Sequence, residues 1–136
     1  MPLTVELVSP ERVAFSGEAD MVVCRTTAGD IAFQPGHVPF IGVLQTHPVK
    51  VISDDGSDTV IAVHQGFVEV SPPDADGNTR ITILSDVAEL AETIDADRAR
   101  TAKERAEEAL QADPDDPEAA SALERAEVRL GVVEAA

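Results

Sequence analysis

"ITILSDVAELAETIDADRARTAKERAEEAL", residues 81–110, changes its period once, and that change sets the reading of the whole chain. Ile81 and Ile83 alternate with Thr82, the period of two expected of a strand with one buried face. Beyond about residue 86 the run becomes rich in Ala, Glu and Arg, all helix formers by propensity. Ala99, Ala102, Ala106 and Ala109 recur at spacings of three and four, which draws a single stripe along a helix. A division at 86/87 is expected, with β structure in 1–86 and helices in 87–136.

Toward the N-terminus the chain reads as short strands separated by turn residues. "LTVELV" stops at Ser9-Pro10, "VAF" at Ser16-Gly17, and "DMVVCRT" at Ala28-Gly29-Asp30. "PVKVIS" and "TVIAVH" flank "DDGSD", a hairpin signal. "GFVEV" ends at Pro72-Pro73, and "TRITIL" follows Asp76-Gly77-Asn78. Val68 and Val70 alternate around Glu69 as the two isoleucines do around Thr82. Many short strands at close spacing predict a flattened β-sandwich or barrel.

Toward the C-terminus, "PEAASALERAEVRLGVV" carries a second stripe: Ala119, Leu123, Ala126, Leu130 and Val133. "DPDDP" separates the two helices, with Asp116 placed to cap and Pro117 suited to the first helical position. So short a loop predicts an antiparallel α-helical hairpin. Alanine stripes bury little, at about 0.8 kcal/mol per CH₂, and isolated helices of this length are marginal in water. The hairpin is therefore expected to need docking, a ligand or a partner, and to be a moving part beside a rigid β domain.

Composition narrows the function classes. The chain has 136 residues and is 43% hydrophobic but only 3% aromatic, with no Trp or Tyr, so its core must be aliphatic. The formal charge of −16 disfavours nucleic acid and acidic lipid headgroups as partners. No apolar run approaches the roughly 18 residues a spanning helix needs, so no membrane insertion is expected. "MPLTVELVSP" lacks a basic region followed by an apolar core, so no signal peptide is expected. Cys24 is the single cysteine, which rules out an intramolecular disulfide and reads as a small buried hydrophobe.

Catalytic chemistry is sparse. His37 sits in "FQPGHVPFIGVL" between prolines and glycines, where a base or a metal ligand is conceivable. His47 and His64 are isolated, and no H-x-H or C-x-x-C accompanies them, so neither a metal nor a catalytic site is expected. No serine sits on a glycine-flanked elbow, and no Walker-type phosphate loop occurs. The arginines of the hairpin are more suggestive. Arg98 and Arg105 are seven apart on the first helix, and Arg125 and Arg129 four apart on the second. Either neighbouring glutamates neutralise them in surface pairs, or the folded hairpin gathers them into a polyphosphate or carboxylate site.

A β-sandwich followed by a helical hairpin is an unusual pairing, and three stretches together resemble one family. "FSGEADMVVCRTTAGDIAFQPGHVPFIGVL", "HQGFVEV" and the opening stretch 81–110 look like the epsilon subunit of bacterial F-type ATP synthase. The P-G-H-x-P turn and the strand–helix junction are the specific parts of the match. The rival reading is a stand-alone β-sandwich binding module with a helical dimerisation tail.

The resemblance implies a non-catalytic rotor subunit of the proton-translocating enzyme, at the cytoplasmic face of the bacterial plasma membrane. The sandwich would couple the gamma subunit to the c-ring. The hairpin would fold down, or extend along gamma toward the catalytic alpha and beta subunits to inhibit ATP hydrolysis. Pro35, Gly36 and Pro39 would then hold His37 in a turn at the assembly surface, with Asp30 meeting the c-ring loops. The family's nucleotide motif, Ile/Leu-Asp-x-x-Arg-Ala, is matched by Ile94, Asp95, Arg98 and Ala99. Glu89, Arg105, Arg125 and Arg129 fall where nucleotide-binding members carry similar residues, which implies a regulatory ATP. Asp95 also suits a helix N-cap.

Overall fold

Alternation of apolar and polar residues builds ten strands in a computed structural model that describes residues 3–53 and 55–136. They are β1 Leu3–Val8, β2 Val13–Ala19, β3 Met21–Thr26, β4 Gly29–Phe33, β5 Phe40–Leu44, β6 His47–Ile52, β7 Asp58–Val63, β8 Gly66–Val70, β9 Thr79–Leu84 and β10 Ala88–Leu90. One sheet joins them in the order β10-β7-β6-β3-β5-β8-β9-β1-β2, with β4 pairing β3 beside that path. All pairings are antiparallel except β1 with β9. The sheet folds over a single aliphatic core that includes Leu3, Val5, Leu7, Val22, Phe33, Leu44, Val49, Ile61, Val68, Ile81 and Ile83. This is the expected sandwich, close to a closed barrel.

The alternation in β8 and β9 buries Val68, Val70, Ile81 and Ile83 and leaves Glu69 outside. Two strands run differently from expectation. β2 continues through Ser16-Gly17 to Ala19, because Gly17 pairs with Val5 and the Phe15 ring covers the space its missing side chain leaves. After Phe33 the "FQPGHVPFIGVL" turn is confined to 34–39, and Phe40 already opens β5. Asp54, part of the expected β6–β7 turn, lies outside the described residues, as do Met1 and Pro2.

The sheet runs on past Asp86. Ala88, Glu89 and Leu90 pair with Val63, Ala62 and Ile61 of β7, and a short 3-10 turn, Ala91–Thr93, leads on. Three residues are too few to show a period, so propensity alone hides this strand inside an Ala/Glu-rich run.

The helices are α1 Ala96–Ala112 and α2 Pro117–Ala135. Asp95 caps α1 by accepting the Arg98 N–H at 3.1 Å. Asp116 caps α2 by accepting from Glu118 and Ala119, with Pro117 in the first turn. Ala99 and Ala106 of α1, and Ala119 and Ala126 of α2, are buried, each pair seven residues apart along its stripe. A second face of α2 docks on the sheet: Val128 and Val132 pack on Ala62, with Val60, Ala91 and Ile94 around them. That patch is small. At about 1.5–3 kcal/mol for each fully buried valine, it offsets only part of the entropy of ordering a helical pair.

Candidate functional site

The segment "VHQG" ends β7 and positions the polar contact between the two parts of the molecule. The His64 N–H donates to the Val87 carbonyl at 3.1 Å, extending the ladder toward β10. Gln65 then turns the chain with a φ of 63° and Gly66 follows at 150°. A Cβ on Gly66 would run into the Leu84 carbonyl, so only glycine fits there. The Ser85 hydroxyl clamps the bend through the carbonyls of Gln65 (2.7 Å) and Val87 (2.9 Å). The His64 ring is thereby held in the interior, 8% exposed.

His64 Nε2 lies 2.8 Å from Glu89 Oε1, and the same oxygen accepts from Arg129 Nε at 2.7 Å. Glu89 comes from β10 and Arg129 from α2, so this three-residue cluster bridges sandwich and hairpin. His64 Nδ1 is buried with no partner among the described residues. A carboxylate can only accept, so Nε2 carries the proton and Nδ1 is the bare nitrogen of a neutral ring. Burial pushes the His64 pKa down; the Glu89 hydrogen bond opposes this, and the nearby Arg129 and Arg125 charges reinforce it. For Glu89, burial would raise the pKa, but hydrogen bonds from Arg129 and His64 outweigh it and hold the carboxyl below its usual range.

The residues expected to hold a nucleotide are only partly gathered. Glu89 and Arg129 meet, but each satisfies the other. Ile94 packs under α2, Asp95 is engaged as the helix cap, and Ala99 is buried. Arg125 reaches Glu118 at 3.3 Å. Arg98 and Arg105 are exposed on α1, and their side chains make no ion pair among the described residues. The surface-pair reading thus accounts for Arg125, and a partly buried bridge to Glu89 accounts for Arg129. Sequence reasoning missed His64, Val128 and Val132; the two valines, four residues apart beside the recognised stripe, were the available signal.

Asp30 lies near the start of β4, and His37 lies in the turn that follows the strand's other end. Asp30 pairs with Arg25 across β3–β4, Nε to Oδ1 at 2.7 Å, and that bond holds its carboxyl below the usual range. His37 does not stand free on its turn. Its ring packs edge-on against Phe33 at 4.9 Å and Phe40 at 6.1 Å, and its Nδ1 lies 2.7 Å from the Val38 carbonyl. Gly36, at φ 88°, donates its N–H to Thr79 at 2.7 Å and ties the turn to β9.

The outer face of the sheet carries an apolar row. Val43 pairs with Phe67, Phe67 with Leu84, Leu84 with Val8, and Val8 with Val13, so one line crosses β5, β8, β9, β1 and β2. Phe67 is 54% exposed, and Val13, Val43 and Leu84 are about half exposed as well. Val8, Val43, Phe67 and Leu84 also line a groove of about 950 Å³ that reaches Glu124 of α2. Exposed apolar residues in one continuous line stand out on a chain this acidic. Among the described residues, no three His, Cys, Asp or Glu side chains form a metal-binding group, and no helix is long and apolar enough to cross a membrane. Cys24 is buried, and burial pushes its thiol up to about 12.

Comparison with known proteins agrees along the full length. Residues 2–91 match the family model "ATP synthase, Delta/Epsilon chain, beta-sandwich domain", and residues 92–134 match its "long alpha-helix domain". The ATP synthase epsilon chain of Streptomyces avermitilis is 44% identical over 133 residues, covering 98% of this chain and 96% of that one. The ATP synthase epsilon chain of Brevibacillus brevis is 41% identical over 103 residues, covering 76% of this chain and 74% of that one. A chain in the cryo-EM structure of Euglena gracilis mitochondrial ATP synthase shares the fold at a TM-score of 0.70 and 19% identity, over 98% of this chain and 78% of that one.

Proposed function

This chain belongs to the ATP synthase delta/epsilon family, and on that premise we propose that it is a central-stalk subunit whose sandwich docks on gamma and meets the c-ring. It is an epsilon subunit, and the complex, not this chain, is the enzyme. The observation that carries the docking is the exposed row Val43–Phe67–Leu84–Val13, an apolar line that a rotating assembly would need covered. Asp30 and the His37 turn, at the two ends of β4, are the proposed c-ring and stalk contacts. The complex would place the chain at the cytoplasmic face of the plasma membrane, peripheral to it.

Co-purification with gamma tests the docking. Phe67→Asp places a charge in the row while the β8–β9 pairing stays intact, so the chain should fold normally and lose gamma. Undiminished gamma binding by the Phe67→Asp chain would rule the row out as the stalk surface.

The hairpin is the proposed regulatory part. It would leave the sandwich, extend along gamma toward the alpha and beta subunits, and restrain ATP hydrolysis. Regulatory ATP is proposed at the Ile94–Ala99 motif, supported by Arg98 and Arg105, two exposed cations without an anionic partner in the described chain. Arg125 would have to leave Glu118, and Arg129 would have to leave Glu89, to join them. Calorimetry with ATP on the isolated chain should show binding that Arg98→Ala abolishes. No heat of binding at millimolar ATP would leave the arginines as surface charges.

A further inference from the structure

We propose that His64 makes docking of the hairpin sensitive to protons: α1 and α2 stay on the sandwich while the ring is neutral, and acidification releases them. The proposal rests on the reading that the hairpin leaves the sandwich. It is tested on the isolated full chain, so a failure of gamma binding would not affect it.

Geometry carries the argument. One carboxylate oxygen, Glu89 Oε1, accepts from both His64 and Arg129. The ring's other nitrogen, Nδ1, is enclosed without a hydrogen-bond partner among the described residues. Protonation would create a buried N–H with nothing to receive it, a cost the neutral ring avoids. It would also place a second cation beside the oxygen that Arg129 uses. The charged groups facing the ring are Glu89 from β10 and Arg129 and Arg125 from α2. Two of these three are cations on the helix that departs. When α2 leaves, both arginines leave with it, and Glu89 remains to favour the imidazolium.

Undocking therefore takes up a proton. Because the docked ring titrates below the ordinary histidine value, docking is strongest above that value, near 6.5. It weakens as the pH falls from there toward the lowered value of the docked ring. One linked proton limits the change to about tenfold in the docking equilibrium per pH unit.

Two measurements test this. Dyes on Glu69→Cys and Ser121→Cys, both exposed positions on β8 and α2, report docking by energy transfer in a Cys24→Ser background. Transfer should fall as the pH drops from about 6.5 toward 5, and His64→Gln, which donates to Glu89 without titrating, should flatten the profile. A flat profile in the parent chain, or an unchanged profile in His64→Gln, would overturn the proposal. Imidazole NMR on the unmodified chain provides a second reading that depends on no variant. It should show His64 protonated at Nε2 and titrating below its free value. A ring protonated at Nδ1, or titrating at the free value, would equally overturn it.

Discussion

Arg129 of α2 donates to Glu89 of β10 across 2.7 Å, forty residues apart in sequence, and no other ion pair among the described residues joins the hairpin to the sandwich. Around it, among the described residues, the buried apolar contact between the two parts centres on the small patch of Ala62, Val128 and Val132 and its surrounding residues. Arg129→Ala would leave Glu89 partly buried with His64 as its one partner. Losing a hydrogen bond to a charged group costs about 1.5–3 kcal/mol, enough to release a marginally docked hairpin. Amide exchange should speed up at Ala62 and along α2, with the β1–β9 core unchanged. Equal protection in both chains would show that the valines suffice.

The sandwich should stand without the hairpin. Its core is contributed by the strands and closed by Ala88 of β10, while α2 covers Ala62 from outside. Truncation after Thr93, which keeps β10 and the 3-10 turn, should leave a cooperatively melting β protein. Truncation after Asp86 removes Ala88 and Glu89 with their pairing to β7 and should melt at a lower temperature. Identical melts for the two would mean that β10 contributes nothing.

Gly66→Ala should be among the most damaging single changes in the chain. It combines a left-handed φ of 150° with a collision against the Leu84 backbone. A loss above about 3 kcal/mol is expected in chemical denaturation, because backbone atoms cannot move aside as a flexible side chain would. A loss within experimental error would show that the β8–β9 junction shifts freely.

His37→Ala should destabilise the sandwich modestly. The ring packs edge-on against Phe33 and Phe40, and aromatic pairs add about 0.5–1.5 kcal/mol beyond their buried area. The same variant measured for gamma and c-ring binding separates packing from recognition. Unaltered stability with weakened assembly would restore the reading of an exposed recognition side chain.

Cys24 should resist alkylation at neutral pH in the folded chain. Its thiol is buried and pushed up to about 12, so almost no thiolate is exposed to attack. Labelling should appear only with unfolding, and rapid labelling of the native chain would place Cys24 nearer the surface.

Much of this architecture follows from local pattern. Strands such as Leu3–Val8 and Thr79–Leu84 bury every second residue, so their period is written in the sequence. Asp95, Asp116 and Pro117 announce helix starts, and the alanines at 99, 106, 119 and 126 show which faces of the two helices meet. The epsilon-subunit identity was also legible, because the P-G-H-x-P turn and the strand–helix junction lie in continuous stretches.

What required the tertiary structure is whatever depends on residues far apart in the chain. β10 is three residues long and exists because β7 has an edge to offer it. The apolar row from Val43 to Val13 is one residue from each of five strands, invisible until register aligns them. His37 looked exposed among its prolines, yet Phe33 and Phe40 close on its ring. Glu89 and Arg129 stood out in the sequence only as parts of a nucleotide site, and nothing local joined them to His64. A periodic pattern reports which face of an element is buried, whereas a polar cluster depends on which elements are brought together, and that is settled only when the sheet folds over and α2 lies down against it.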